Sequence, residues 1–209
     1  MRLTRNGIVA FRLAAAVILI AGLICRSMKD DGLEILLYFT IDSNLLGIAV
    51  LLLGAISVMM GGKVAPFPTL SFVSVVALIL TFIIYWSLLA AVSPYPLLEF
   101  DNISEHLLAP IFLIVDRLVF YVGSAQRNVI PALVFPFCYM VVAITVGYCH
   151  VVSFHTGWYP YTFLDIETHG AMVIVYMIAF VGLILLISLI LARYERNRDK
   201  KLLIRALSP

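Results

Sequence analysis

Two clusters of polar residues stand within otherwise apolar sequence, and both hold groups that do chemistry. The first is Tyr38-Phe39-Thr40-Ile41-Asp42-Ser43-Asn44 and the second is Asp101-Asn102-Ile103-Ser104-Glu105-His106. On a helix, Thr40, Ser43, Asn44 and Gly47 share one face, and Asn102 and His106 share another. A threonine hydroxyl is inert until a base removes its proton, and a neutral imidazole does this near pH 7. Thr40 and His106 are therefore the candidate nucleophile and general base, with Ser43 or Asn44 as candidate donors to an oxyanion. Asp42 points away from the Thr40 face and needs a partner or a water pocket of its own. The plainer reading of Thr40, Ser43 and Asn44 is helix packing, which small and hydroxyl residues also serve.

The remaining histidines cluster late in the chain. His150, His155 and His169 surround the segment Gly157-Trp158-Tyr159-Pro160-Tyr161-Thr162-Phe163-Leu164-Asp165. Trp158, Tyr159 and Tyr161 suit a membrane interface, or a lid over a pocket containing Thr40, with Asp165 beside them. No HxxxH or HExxH spacing occurs, and His150 and His155 lie off a common helical face, so no metal or cofactor is expected. P-loop, GxSxG, dinucleotide-binding and CxxC patterns are missing as well. Cys25, Cys138 and Cys149 sit in or beside apolar runs and read as small hydrophobes.

The elements that must position these groups follow from composition. Of 209 residues, 63% are hydrophobic and 12% charged, the net charge is +2, and the mean hydropathy is +1.09. Soluble domains are about 25% charged. This chain cannot cover a globular surface with polar groups, which excludes a soluble enzyme and a disordered chain. The small net charge excludes a nucleic-acid binder. Six stretches reach the roughly 20 apolar residues that a membrane crossing needs. They run over about 7–25, 33–60, 70–92, 103–122, 129–152 and 171–192. The sequence thus predicts one all-α polytopic membrane domain with a basic tail at 193–209. Arg12 interrupts the first run and no small-x-small site follows it, so this run reads as a span and not as a cleaved leader.

Charge sets the orientation. With a cytoplasmic N-terminus, Arg2, Arg5, Arg12, Lys63, Arg117, Arg127 and the tail residues Arg193, Arg196, Arg198, Lys200, Lys201 and Arg205 fall inside. Only Arg26 and Lys29 fall outside, with Asp30, Asp31, Glu34, Glu99, Asp101, Glu105, Asp165 and Glu167. Both termini are expected in the cytoplasm, with the tail lying on anionic headgroups. At 1.5 Å per residue, Thr40 lies about 10 Å and His106 about 6 Å below the outer boundary, so the two can meet in the outer leaflet. Arg12 and Asp116 share an inner depth and are expected to pair.

Six spans, YFTIDSN opening the second, EHLLAPIF opening the fourth and GWYPYTFLD before the last resemble the FAR-17a/androgen-induced protein family, and more closely its short bacterial six-span relatives. The likeness covers nearly the whole chain in topology and order. It implies an intramembrane threonine hydrolase of esters between fatty acids and hydroxy fatty acids, without a metal. Its threonine falls on Thr40 and its histidine on His106. The trio Asp42-Ser43-Asn44 departs from the vertebrate pattern, which bears on the substrate. The resemblance further implies a bacterial inner membrane. Expected partners are a membrane lipid or lipid ester, with no nucleic acid; a homo-oligomer is left open. Two rivals stand beside this reading. One is a small transporter or channel with Asp42 and the histidines as a proton or cation site. The other is a non-catalytic scaffold.

Overall fold

The computed structural model describes residues 4–29, 32–91 and 96–207, apart from the side chains of 33, 205 and 207. Arg2, Asp30, Asp31 and Val92, and the side chain of Arg205, lie outside the described residues. The architecture is all-α, and among the described residues a lone bridge between Phe154 and Gly157 is the one β-type pairing.

Helix α1 (Arg5–Ser27) starts at Thr4, whose hydroxyl accepts the Gly7 N–H at 3.2 Å and so caps a donor the helix leaves open. The apolar run from 33 to 60 is divided. Leu33–Leu37 is a 3₁₀ turn, Tyr38 is extended, and α2 (Phe39–Met59) begins only after it. Tyr139 satisfies the break by donating its hydroxyl to Leu37 O at 2.9 Å. This break puts Thr40 in the first turn of a helix. Helices α3 (Pro68–Ile84) and α6 (Pro131–Tyr148) both open with a proline, whose missing N–H costs nothing at that position. A π turn, Tyr85–Leu89, extends α3.

Helix α4 (Phe100–Ile103), a π turn over Ser104–Leu108 and α5 (Ala109–Phe120) join into one rod. After α6 come the short α7 (Ile166–His169) and the 36-residue α8 (Met172–Leu207). Among the described residues, five helical stretches are long and apolar enough to cross a membrane: Arg5–Ser27, Phe39–Met59, Pro68–Leu89, Pro131–Tyr148 and Met172–Ile204. The rod of residues 100–120 is not among them, because it carries Asp101, Glu105, Asp116 and Arg117. It is instead wrapped by α1, α2 and α3, and all four of those side chains are buried. Polar groups on a rod so enclosed are kept from lipid. Small residues permit the close approach: a Cβ on Gly22 would collide with Ser104, and one on Gly54 with the Arg12 guanidinium. Outward faces are apolar, as at Val17, Ile178 and Ile190.

The bundle has a loop end, with Thr40 and the 150–170 segment, and a tail end, with the 121–130 connection. At the tail end the expected Arg12–Asp116 pair is present, with Nε to Oδ1 at 2.7 Å and both side chains fully enclosed. A second enclosed pair joins Arg117 to Glu195 at 2.6 Å. Arg117 also donates to Pro68 O at 2.6 Å and Ser124 O at 3.1 Å, while Glu195 accepts from Gln126 N–H at 3.0 Å. Arg198 donates to Leu118 O at 2.7 Å and Tyr121 O at 3.1 Å. The expectation that the tail rests on headgroups therefore needs correcting for these residues. Its start is an uninterrupted part of α8, and Glu195, Arg196 and Arg198 bind the 117–126 segment, because the carbonyls that end α5 need donors.

Candidate active site

Thr40 and His106 face each other across α2 and the rod, with Oγ1 and Nε2 3.4 Å apart. His106 Nδ1 lies 3.1 Å from Asn102 O, which can only accept, so Nδ1 carries the proton and Nε2 offers its lone pair to Thr40. The ring is held flat on Tyr85, centroids 3.6 Å apart at 21°. Tyr85 in turn receives the Asn102 amide at 2.5 Å, and that amide also donates to Pro96 O at 3.2 Å. Asn102 thus orients the histidine twice, through its own carbonyl and through Tyr85.

The local backbone explains the remaining contacts. Pro110 has no N–H for the carbonyl one turn back, and the Ala109 N–H goes to Ser104 across the π turn. Glu105 O and His106 O thereby lose their helical donors. Asn44 Nδ2 reaches Glu105 O at 3.2 Å and Trp86 Nε1 reaches His106 O at 3.3 Å. Asn44 also donates to Thr40 O at 2.8 Å. Its amide is therefore committed to backbone carbonyls, and its candidacy as an oxyanion donor gives way to a positioning role. Ser43 likewise donates to Thr40 O at 3.0 Å and lies 3.0 Å from the Thr81 hydroxyl, fully enclosed between α2 and α3. Asp42 sits half-buried in the first turn of α2 and accepts no hydrogen bond among the described residues.

Of the late aromatics, Tyr161 reaches the site. Its hydroxyl accepts the Thr40 N–H at 3.4 Å and also meets the Thr40 side chain. Trp158 instead stacks on His150, centroids 4.6 Å apart, and His150 contacts Glu167 at 3.1 Å. Tyr159 is buried against Gly147, where any Cβ would strike its ring; burial raises its hydroxyl pKa. Asp165 caps α7, accepting from Glu167 N–H and Thr168 N–H at 2.9 Å and from the Thr168 hydroxyl at 2.6 Å. Desolvation opposes ionisation there, but these hydrogen bonds outweigh it and hold the carboxyl below its usual range. Trp158, Tyr159 and Asp165 thus build the segment that delivers Tyr161.

Two cavities meet at Thr40. An apolar slot of about 530 Å³ runs between α3, α6 and α8, lined by Phe39, Leu80, Ile84, Met140, Phe180 and Ile184 among others. A more polar vestibule of about 760 Å³ is lined by Arg26, Asn102, Glu105, His106, His155 and Thr156 among others. Tyr85, Leu89 and Tyr161 border both. No group of three or more His, Cys, Asp or Glu placed to hold a metal occurs among the described residues. Tyr85, Trp86 and Arg26 were not legible as site residues: two lie in or beside an apolar run, and Arg26 reads as an ordinary helix-end cation.

No family model, curated protein or solved structure matches the chain.

Proposed function

We propose that this chain is an intramembrane hydrolase of lipid esters, of the kind its resemblance to the FAR-17a/androgen-induced protein family implies. The observation that carries the reading is the Thr40 hydroxyl 3.4 Å from an imidazole nitrogen whose partner nitrogen is fixed by a backbone carbonyl. That distance is loose for proton transfer, as is common before substrate tightens a site. His106 Nε2 takes the Thr40 proton as Oγ1 attacks the ester carbonyl. The oxyanion develops near the start of α2, where the Tyr161 hydroxyl, which accepts the Thr40 N–H and keeps its own proton to give, is the available donor. His106 then protonates the departing alkoxide, and a water that it activates hydrolyses the acyl-threonine. The apolar slot supports an acyl chain as the group held during that second step.

The chain is further proposed to cross the membrane six times, residues 100–120 making the crossing that hydropathy alone does not support, with both termini in the cytoplasm of a bacterial inner membrane. Twelve of the 14 Lys and Arg fall on one side in that arrangement. Reporter fusions after Lys63 and Arg127 are expected to read cytoplasmic, and one at Thr156 external.

A second reading, a proton or cation site at Asp42, is favoured by one observation: a half-buried carboxylate without a hydrogen bond among the described residues. Purified protein in detergent decides between them. Hydrolysis of a chromogenic ester, with fluorophosphonate labelling at Thr40, supports the hydrolase. Wild-type turnover in Thr40→Ala overturns it, and proton flux lost in Asp42→Asn supports transport.

A further inference from the structure

Far from Thr40, the tail end gathers cations around a space of its own. A cavity of about 900 Å³ lies between the 123–127 connection and the 196–203 stretch of α8, lined by Gly123, Ala125, Arg127, Arg196, Lys200 and Leu203 among others. Arg196, Lys200 and Leu203 are four and three residues apart, so one face of α8 presents them together. Arg127 comes from the opposite wall. Arg196 Nη1 donates to Gln126 O at 3.3 Å, which fixes its guanidinium where the two walls meet.

The nearby acids do not neutralise these cations. Asp199, which also lines the cavity, is held by Arg198 through Nε at 2.9 Å and Nη2 at 2.8 Å. Glu195 is enclosed and committed to Arg117 and the Gln126 N–H. Among the described residues neither Arg127 nor Lys200 has an ion pair, and both are exposed. A topology signal needs cations only near the end of a span. It does not need them on two elements that face one space, whereas an anion site does. Three cations suit a phosphate monoester, which carries about −1.5 to −2 charge at neutral pH, better than a singly charged diester. We infer that this cavity binds a phosphate monoester through Arg127, Arg196 and Lys200, independently of any chemistry at Thr40. Counted from Met172, about 20 residues of α8 cross the hydrocarbon. Arg196 then stands about 6 Å and Lys200 about 12 Å beyond it, at the border between headgroups and water. Both a lipid headgroup and a soluble phosphate reach that level.

The test is calorimetric binding to the full chain in detergent, in the wild type, Arg127→Gln/Lys200→Gln and Arg193→Gln/Lys201→Gln. The last variant removes equal charge from exposed tail cations that do not line the cavity. The probes are a dioctyl-ether lipid with a phosphate monoester headgroup, the same lipid with a glycerophosphate diester headgroup, and glycerol 3-phosphate. Ether linkage leaves no ester to cleave. The wild type is expected to bind the monoester lipid about tenfold more tightly than the diester. Arg127→Gln/Lys200→Gln should erase that margin with little change in melting temperature, because neither side chain staples the bundle, and Arg193→Gln/Lys201→Gln should keep it. Glycerol 3-phosphate that binds as tightly as the monoester lipid identifies a soluble ligand, and weaker or no binding identifies a headgroup. Equal wild-type affinity for monoester and diester, no binding of either monoester, or equal losses in the two double variants overturns the inference. The wild-type comparison decides without any variant.

Discussion

Residues 100–120 carry buried polar groups at both ends, and the two ends treat them differently. At the tail end Asp116 is fixed to Arg12, and Arg117 to Glu195 and two backbone carbonyls, all at zero exposure. At the loop end His106 is oriented just as firmly through Nδ1 and the Tyr85 ring, yet Nε2 meets only a loosely placed hydroxyl beside two cavities. One end uses buried polarity to hold helices in register, and the other to keep one lone pair available. Burial alone therefore does not mark function in this bundle. Under the proposed hydrolase reading, what distinguishes the candidate site is an oriented side chain with one loosely met nitrogen beside open space.

Substitutions at the two ends should have opposite consequences. The largest effect is expected at Thr40 and His106. His106→Ala should lose about 10²–10⁴-fold in kcat/KM, Thr40→Ala at least as much, and the double variant scarcely more. Thr40→Ser should retain some turnover. All should melt near the wild-type temperature in detergent, and a large fall there would place these residues with the tail-end staples. At the tail end the ranking reverses. Asp116→Ala or Glu195→Ala leaves an arginine buried without its anion, at a cost of about 3–5 kcal/mol, read as a lowered melting temperature. Turnover per folded molecule should persist in both.

Asn44 belongs to both kinds, since it supports the bundle and borders the Thr40 residue proposed as nucleophile. Asn44→Ala strands Glu105 O and should cost about 1–3 kcal/mol as well as lowering kcat. Adding Pro110→Ala supplies the missing N–H, so the stability cost of Asn44→Ala should shrink in that background. Additive costs would show that Pro110 is not what strands the Glu105 carbonyl.

The smallest effect belongs to Asp165. Its folded carboxyl titrates below the unfolded value of about 3.9, so its stabilisation is complete above that value and is lost as the pH falls through the folded one. Amide protection factors in 153–170, corrected for the intrinsic pH dependence of exchange, should be constant from pH 7 to about pH 5 and fall in strong acid. Asp165→Asn should cost at most about 1 kcal/mol and flatten that acid response.

Much of this molecule was legible in its sequence, for a physical reason: the cost of polarity in lipid is local and can be summed along the chain. Apolar run lengths determined five of the helices, and depth along them put Thr40 opposite His106 and Arg12 opposite Asp116. What depth does not contain is rotation about each helix axis and the lateral order of the helices. Those decided that Arg117 pairs with Glu195, 78 residues away, and that the start of the tail staples the bundle. They also decided that Tyr161 reaches Thr40 while Trp158 and Asp165 only support its segment. Asn44 is the clearest case. Its type and face were readable, but its task was created by Pro110 on another helix, and only when the two helices pack does the amide meet the carbonyl that the proline had stranded.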